Sequence, residues 1–200
     1  MMRWTEQEPD ARVNALGHWL RHMDCAIAIR LLMNRHHGVR LYVTPECAGD
    51  VASHVASDRN EVGGLLLGHV WGAGTTLDAI GNDPIVWVTE SLASEVFLNS
   101  STSLEMDTEI WDRARERGPE LLVVGWYHSH PDLGAFFSGT DRQTQRAFFT
   151  QPYSIGWVID PFRREERVFV GGDSREYSAP LAIAPVPCPL PAPHVTPGHP

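Results

Sequence analysis

Apolar residues recur every three or four positions from Val13 through Leu16, Leu20 and Met23, and Ile27 and Leu31 continue that face. This spacing predicts a helical extension over residues 1–38. The pattern then shifts. VRLYV at 39–43 reads as a strand, and PECAGDVASHVASD reads as a helix. Pro45 suits its first turn, and Ala48, Val51, Ala52 and Val55 form its apolar stripe. EVGGLLLGHV and IVWVTE are further strands. Gly63 and Gly64 permit close backbone approach there, and His69 follows as a structural or exposed residue. Residues 91–106 carry mixed signals. DTEIWDRARERG is a helix with Asp107 as its cap, Gly118 as its stop and its charges on a solvated face. LLVVGWYHSHP is a run of strand-formers, with Trp126 expected to face the core. SGTDRQTQRAFF starts a helix, and SIGWVID and ERVFVGG are two strands joined by a turn at FRRE. From Ala179 onward proline recurs too often for helix or sheet, which predicts a disordered tail of polyproline character over 179–200.

Composition narrows the class of protein. Two hundred residues suit one domain, 39–178, with its extensions. A net charge of −9 argues against nucleic acid, whose phosphates need basic patches. The first residues, MMRWTEQEPDARV, are too polar for a secretory signal. The apolar stretch from Met23 to Met33 is interrupted by Arg30 and falls short of the roughly 20 residues a membrane span needs. Cys25, Cys47 and Cys188 are too scattered for a disulfide framework, so a reducing cytoplasm is expected. All sixteen basic residues are arginine. Arginine-biased codon usage accounts for this; a sharper explanation is that the chain avoids modification at lysine.

The candidate chemistry lies at 126–141, WYHSHPDLGAFFSGTD. Alternate strand residues share a face, so His128 and His130 project together about 7 Å apart along the backbone and can converge on one ion. Ser129 points the other way, and Pro131 ends the strand. Ser138 and Asp141 have the spacing of a helix N-cap and its capping-box acid. Alternatively, the helix start turns Asp141 back over the strand end as a third ligand, and both roles can coexist. Three good ligands without a fourth fit a catalytic zinc site, which keeps a position open, better than a structural one. Glu61 alone reads as a surface acid, and no spacing ties it to the histidines. His18 and His22 are one helical turn apart but lack a convincing acid or cysteine partner, so they read as surface histidines.

HSHP followed by Ser-x-x-Asp, with Glu-x-x-Gly-x-Leu-x-Gly upstream, resembles the JAMM (MPN-plus, or JAB) zinc metalloprotease motif. VVGWYHSHPDLGAFFSGTDRQTQ and the later VIDP are especially similar to the deubiquitinases and deneddylases of the proteasome lid and signalosome, and the similarity spans about residues 39–172. The resemblance implies an α/β domain in which a central curved mixed sheet is flanked by helices, with catalytic zinc at the sheet edge. It implies that His128, His130 and Asp141 hold zinc, that water fills the fourth position, that Glu61 is the general base, and that Ser138 binds the developing oxyanion. Zinc would lower the pKa of the water to about 7. No cysteine nucleophile is then needed. Asp132 stands where close relatives usually carry glycine.

The implied activity is hydrolysis of the isopeptide bond after the C-terminal glycine of a ubiquitin-like protein joined to lysine. Residues 91–106 match an insertion that pairs strand to strand with the client's tail, and Val96 and Phe97 are the expected contacts. The arginine-rich, compact chain looks prokaryotic. The expected client is therefore a bacterial ubiquitin-like protein of a defence-type conjugation system, with E1- or E2-like proteins as further partners. Two rivals remain open: a metallopeptidase trimming the tail of a ubiquitin-like or sulfur-carrier precursor, and a non-catalytic MPN scaffold.

Overall fold

A computed structural model describes residues 14–15, 39–72, 84–94, 108–178 and 181–184. Strands β1 (Asn14–Ala15), β2 (Arg40–Val43), β3 (Gly63–Gly72), β4 (Ile85–Ala93), β5 (Leu122–Ser129), β6 (Ile155–Asp160), β7 (Glu165–Val170), β8 (Arg175–Glu176) and β9 (Ala182–Ile183) form one sheet. Its order is β8-β7-β6-β5-β3-β4-β2-β9, with β1 pairing beside β3. β3 is antiparallel to β4 and β5, whereas β5 runs parallel to β6 and β2 parallel to β4. The sheet is therefore mixed, and its curl carries helices on both faces, as expected of a single JAB/MPN-type α/β domain.

Helix α1 (Pro45–Val55) starts where Thr44 Oγ1 accepts the Cys47 N–H at 3.2 Å and Pro45 occupies the first turn. Its buried stripe is Cys47, Val51 and Val55, with Ala48 half-buried; Ala52 is exposed, so it leaves the expected stripe and Cys47 joins it. Helix α2 (Thr108–Glu116) is followed by Gly118 at φ 99°, the left-handed stop that glycine adopts without strain. Helix α3 is Gly139–Phe148.

Strand alternation divides the core. Leu66, Val88 and Tyr127 pack with α1 residues on one face. Leu65, Leu67, Trp126 and Val158 pack on the other, against Ile110 and Ala114 of α2 and against Phe137 and Phe149 beside α3. Trp126 thus faces the core as expected. Gly64 is required by proximity, since a Cβ there would lie 2.0 Å from the Leu92 carbonyl oxygen. His69 lies within β3 rather than after it, and it is buried beside Trp71.

Two expectations about the ends are corrected. Asn14 and Ala15 are not helical but pair in parallel with Trp71 and Gly72. β5 reaches only as far as Gly68 along β3, which leaves the Trp71–Gly72 edge for β1 to pair with. In the proline-rich tail, Ala182 and Ile183 pair with Tyr42 and Val43 of β2, and Ala184 N donates to the Val43 carbonyl at 2.9 Å. LAIA at 181–184 contains no proline, so its N–H groups remain available to a sheet edge. The rest of the expected N-terminal helix, Asp107, Val96, Phe97 and residues 185–200 lie outside the described residues.

Candidate active site

The end of β5 supplies the two imidazoles. His128 and His130 project to the same side, both buried, with their Nε2 atoms 3.2 Å apart. The start of α3 supplies the carboxylate. Ser138 Oγ accepts the Asp141 N–H at 3.2 Å, while Asp141 Oδ2 accepts the Ser138 N–H at 2.6 Å. This reciprocal capping box fixes the Asp141 rotamer and turns the carboxylate toward the strand. Its Oδ1 lies 3.4 Å from His128 Nε2, and Oδ2 lies 3.6 Å from His130 Nε2. The capping and site-forming placements of Asp141 therefore coexist.

The donors cluster closely enough to share one ion. One ligand atom from each residue can be chosen so that all three lie within 4.8 Å of one another; the shortest approaches are 3.2 Å between the imidazoles and 3.4 and 3.6 Å from the two different oxygens of Asp141. Two imidazoles and one carboxylate are also a donor set zinc accepts, and three protein ligands leave one position for water or substrate. Among the described residues, His128, His130 and Asp141 are the group able to hold a metal ion.

Glu61 reaches the site through strand register. Gly63 is the antiparallel partner of His128, and Ser129 N donates to the Val62 carbonyl at 2.8 Å. The same ladder sets Glu61 level with His130, where its Oε1 is 3.9 Å from His130 Nε2. Its side chain is 30 % exposed, which leaves it open to solvent and substrate.

Electrostatics separate the two acids. Burial pushes the Glu61 carboxyl above its ordinary range; Asp141 adds to this and His128 opposes it. Burial also raises Asp141, but its bond and charge interaction with His128, with the Ser138 hydrogen bonds, hold it down at about 2. Burial, reinforced by His128, lowers His130 against the pull of Asp141. Cys47 belongs to the opposite face, and burial pushes its thiol up to about 12, which makes it unfit as a nucleophile.

Several supporting residues escaped the sequence reading. The Trp126 indole stacks on the His128 ring at 4.5 Å and 9°. Its Nε1 donates to Gln145 Oε1 at 2.6 Å, and Gln145 Nε2 in turn donates to the Gly171 carbonyl at 3.2 Å. Gly156, the register partner of Trp126, leaves room for Phe137, whose ring a Cβ would approach to 2.2 Å. Phe136 lies 4.8 Å from the His130 ring. Period-two spacing places Trp126 on the histidine face, but nothing local marks Gln145 as its brace.

Comparison with known proteins agrees with this geometry. The family model described as prokaryotic homologs of the JAB domain matches residues 50–168. The 26S proteasome non-ATPase regulatory subunit 14 of Dictyostelium discoideum is 37% identical over 57 residues, covering 28% of this chain and 19% of that protein. The COP9 signalosome complex subunit 5 of Eremothecium gossypii is 34% identical over 111 residues, covering 52% and 23%. The ubiquitin carboxyl-terminal hydrolase RPN11 of Saccharomyces cerevisiae is 36% identical over 56 residues, covering 28% and 18%. The matches thus span about a fifth of each of these relatives. The solution structure of DSY2949 from Desulfitobacterium hafniense shares the fold, with a TM-score of 0.53 at 20% identity over 74% of this chain and 95% of that one.

Proposed function

This chain belongs to the prokaryotic JAB-domain family, and we propose that it is a zinc-dependent isopeptidase cleaving after the C-terminal glycine of a ubiquitin-like protein joined to lysine. The observation that carries the proposal is the buried cluster of His128, His130 and Asp141 with Glu61 on its solvent side. The names of the RPN11 and signalosome relatives support the substrate class, and the prokaryotic family model supports a bacterial client.

His128, His130 and Asp141 would hold the metal. Zinc, when bound, acidifies a water toward neutral pH and polarises the scissile carbonyl. Glu61 takes the proton of the attacking water and returns it to the leaving lysine amine as the C–N bond breaks. Its upward-shifted pKa suits a group that must both accept and release that proton. Ser138 Oγ accepts the Asp141 N–H, and its hydroxyl, which also bonds the Asp141 carboxylate, would turn its hydrogen to the oxyanion, a contact worth about 3 kcal/mol. The products are a glycine carboxylate and a free lysine amine, with no covalent enzyme intermediate.

Retention of Glu61 and Ser138 beside all three ligands favours an enzyme over a scaffold. Among the described residues no helix is long and apolar enough to cross a membrane. We place the protein in the cytoplasm, beside E1- or E2-like conjugation proteins. The test is incubation with a ubiquitin-like protein joined to lysine or carrying a linear extension, read by intact mass with and without chelator. Chelator-sensitive release at the lysine link supports the assignment, whereas cleavage of the linear extension alone makes the protein a precursor-trimming peptidase.

A further inference from the structure

The loop after His130 is built on two left-handed residues, Asp132 at φ 59° and Gly134 at φ 91°. The Leu133 N–H bonds the His130 carbonyl within the loop, but the N–H groups of Asp132 and Gly134 need acceptors from outside it. Asp160, at the end of β6, supplies them from a fully buried carboxylate. Its Oδ2 accepts the Gly134 N–H at 2.7 Å. Its Oδ1 accepts the N–H groups of Asp132 at 3.2 Å and of Phe162 and Arg163 at 3.0 Å each. One carboxylate thus ties the loop beyond His130 to the β6–β7 turn.

Arg163 closes the same junction from the surface. Its Nε donates to Asp132 Oδ1 at 3.1 Å, and its Nη2 donates to the Asp132 carbonyl at 2.6 Å. Aspartate is among the few L residues that tolerate the left-handed region, and here its side chain also gives Arg163 an anchor that glycine would lack. The tied loop bears directly on the site. It begins at His130, whose N–H donates to the Ile159 carbonyl at 2.9 Å, immediately before Asp160. It leads to Phe136, which packs on the His130 imidazole. The backbone bond of His130 and the loop that carries Phe136 onto its ring are therefore both anchored at residues 159–163.

We propose that Asp160 and Arg163 are positioning residues for the metal site: Asp160 is the inner hub and the Arg163–Asp132 pair the outer latch that together hold His130 Nε2 in ligand geometry. This inference rests on the zinc reading of the site. Neither residue is a ligand, and each acts through the loop.

The experiment uses the full chain as wild type, Asp160→Asn and Arg163→Gln. Zinc affinity is read by chelator competition, site geometry by the visible spectrum of the cobalt-substituted protein, and fold by the melting midpoint after chelation. Asp160→Asn keeps the size of the hub but turns amide donors toward backbone donors. It is expected to weaken zinc about tenfold, the lower end of what supporting residues of metal sites cost, and to alter the cobalt bands. Arg163→Gln is expected to cost about two- to fivefold, the scale of an exposed ion pair. A purely structural role would lower the midpoint without moving the affinity or spectrum of the folded protein. Unchanged affinity and spectrum in both variants overturn the inference. If Asp160→Asn does not fold, Arg163→Gln decides, and unchanged zinc affinity in it overturns the inference. A wild type that takes up neither metal fails the zinc reading and this inference together; a wild type that binds zinc no more tightly than the variants fails this inference alone.

Discussion

Glu61 Oε1 lies 3.9 Å from His130 Nε2 because Gly63 and His128 are partners across the β3–β5 ladder. A slip of one residue in that register would turn Glu61 to the other face of the sheet. The position of the proposed base is thus fixed by the same hydrogen bonds that hold the core strands.

The pH profile should carry the signature of this placement. A general base acts when ionised, so kcat/KM rises with pH through its pKa. Burial raises the Glu61 carboxyl above its ordinary 4.5, so the acid limb should have its midpoint above that value. A limb at or below 4.5 would contradict the burial of Glu61.

Ser138 is predicted to serve two roles, which Ser138→Ala should separate. Loss of the cap should cost about 1 kcal/mol of stability, measured by denaturant unfolding. Loss of the oxyanion donor should lower kcat by roughly 100-fold or more. A stability loss with unchanged kcat would leave Ser138 as a cap only.

Legibility in the sequence followed the range of the interactions. His128 and His130 were readable because strand periodicity places i and i+2 on one face. Ser138 and Asp141 were readable because a capping box spans four residues. Glu61 was reachable only by family resemblance, since antiparallel register is a non-local property. Asp160 and Gln145 were missed for the same reason: each is a buried polar residue whose partners outside its own turn or helix are 9 to 28 residues away. The α/β architecture was legible from alternating patterns, but β1 and β9 were not. Two residues are too few to show a period, and the prolines around 181–184 outweighed the strand-compatible LAIA between them.

Acid stability should depend on Asp141. Its folded pKa is depressed from 3.8 to about 2, so it contributes stability that is present above pH 3.8 and lost as pH falls toward 2. Linkage gives about 2 kcal/mol for such a shift. Denaturant unfolding of chelated wild type and Asp141→Asn should diverge above pH 4 and converge near pH 2. A constant difference across that window would contradict the assignment.

The proline-rich end should divide into two parts. Removing 185–200 should leave the melting midpoint and zinc binding unchanged. Removing 181–200 strips β9 from β2 and uncovers the core that Leu181 packs against, and it should lower the midpoint by several degrees. Equal behaviour of the two truncations would show that β9 adds nothing.

The central claim is tested most directly by measuring zinc content and cleavage together in wild type and Glu61→Gln, with a ubiquitin-like protein joined to lysine as substrate. The account predicts that both proteins hold one zinc, that wild type cuts after the terminal glycine, and that Glu61→Gln is slower by about 100-fold or more. Equal cleavage by the two proteins, or a wild type without zinc, would contradict it.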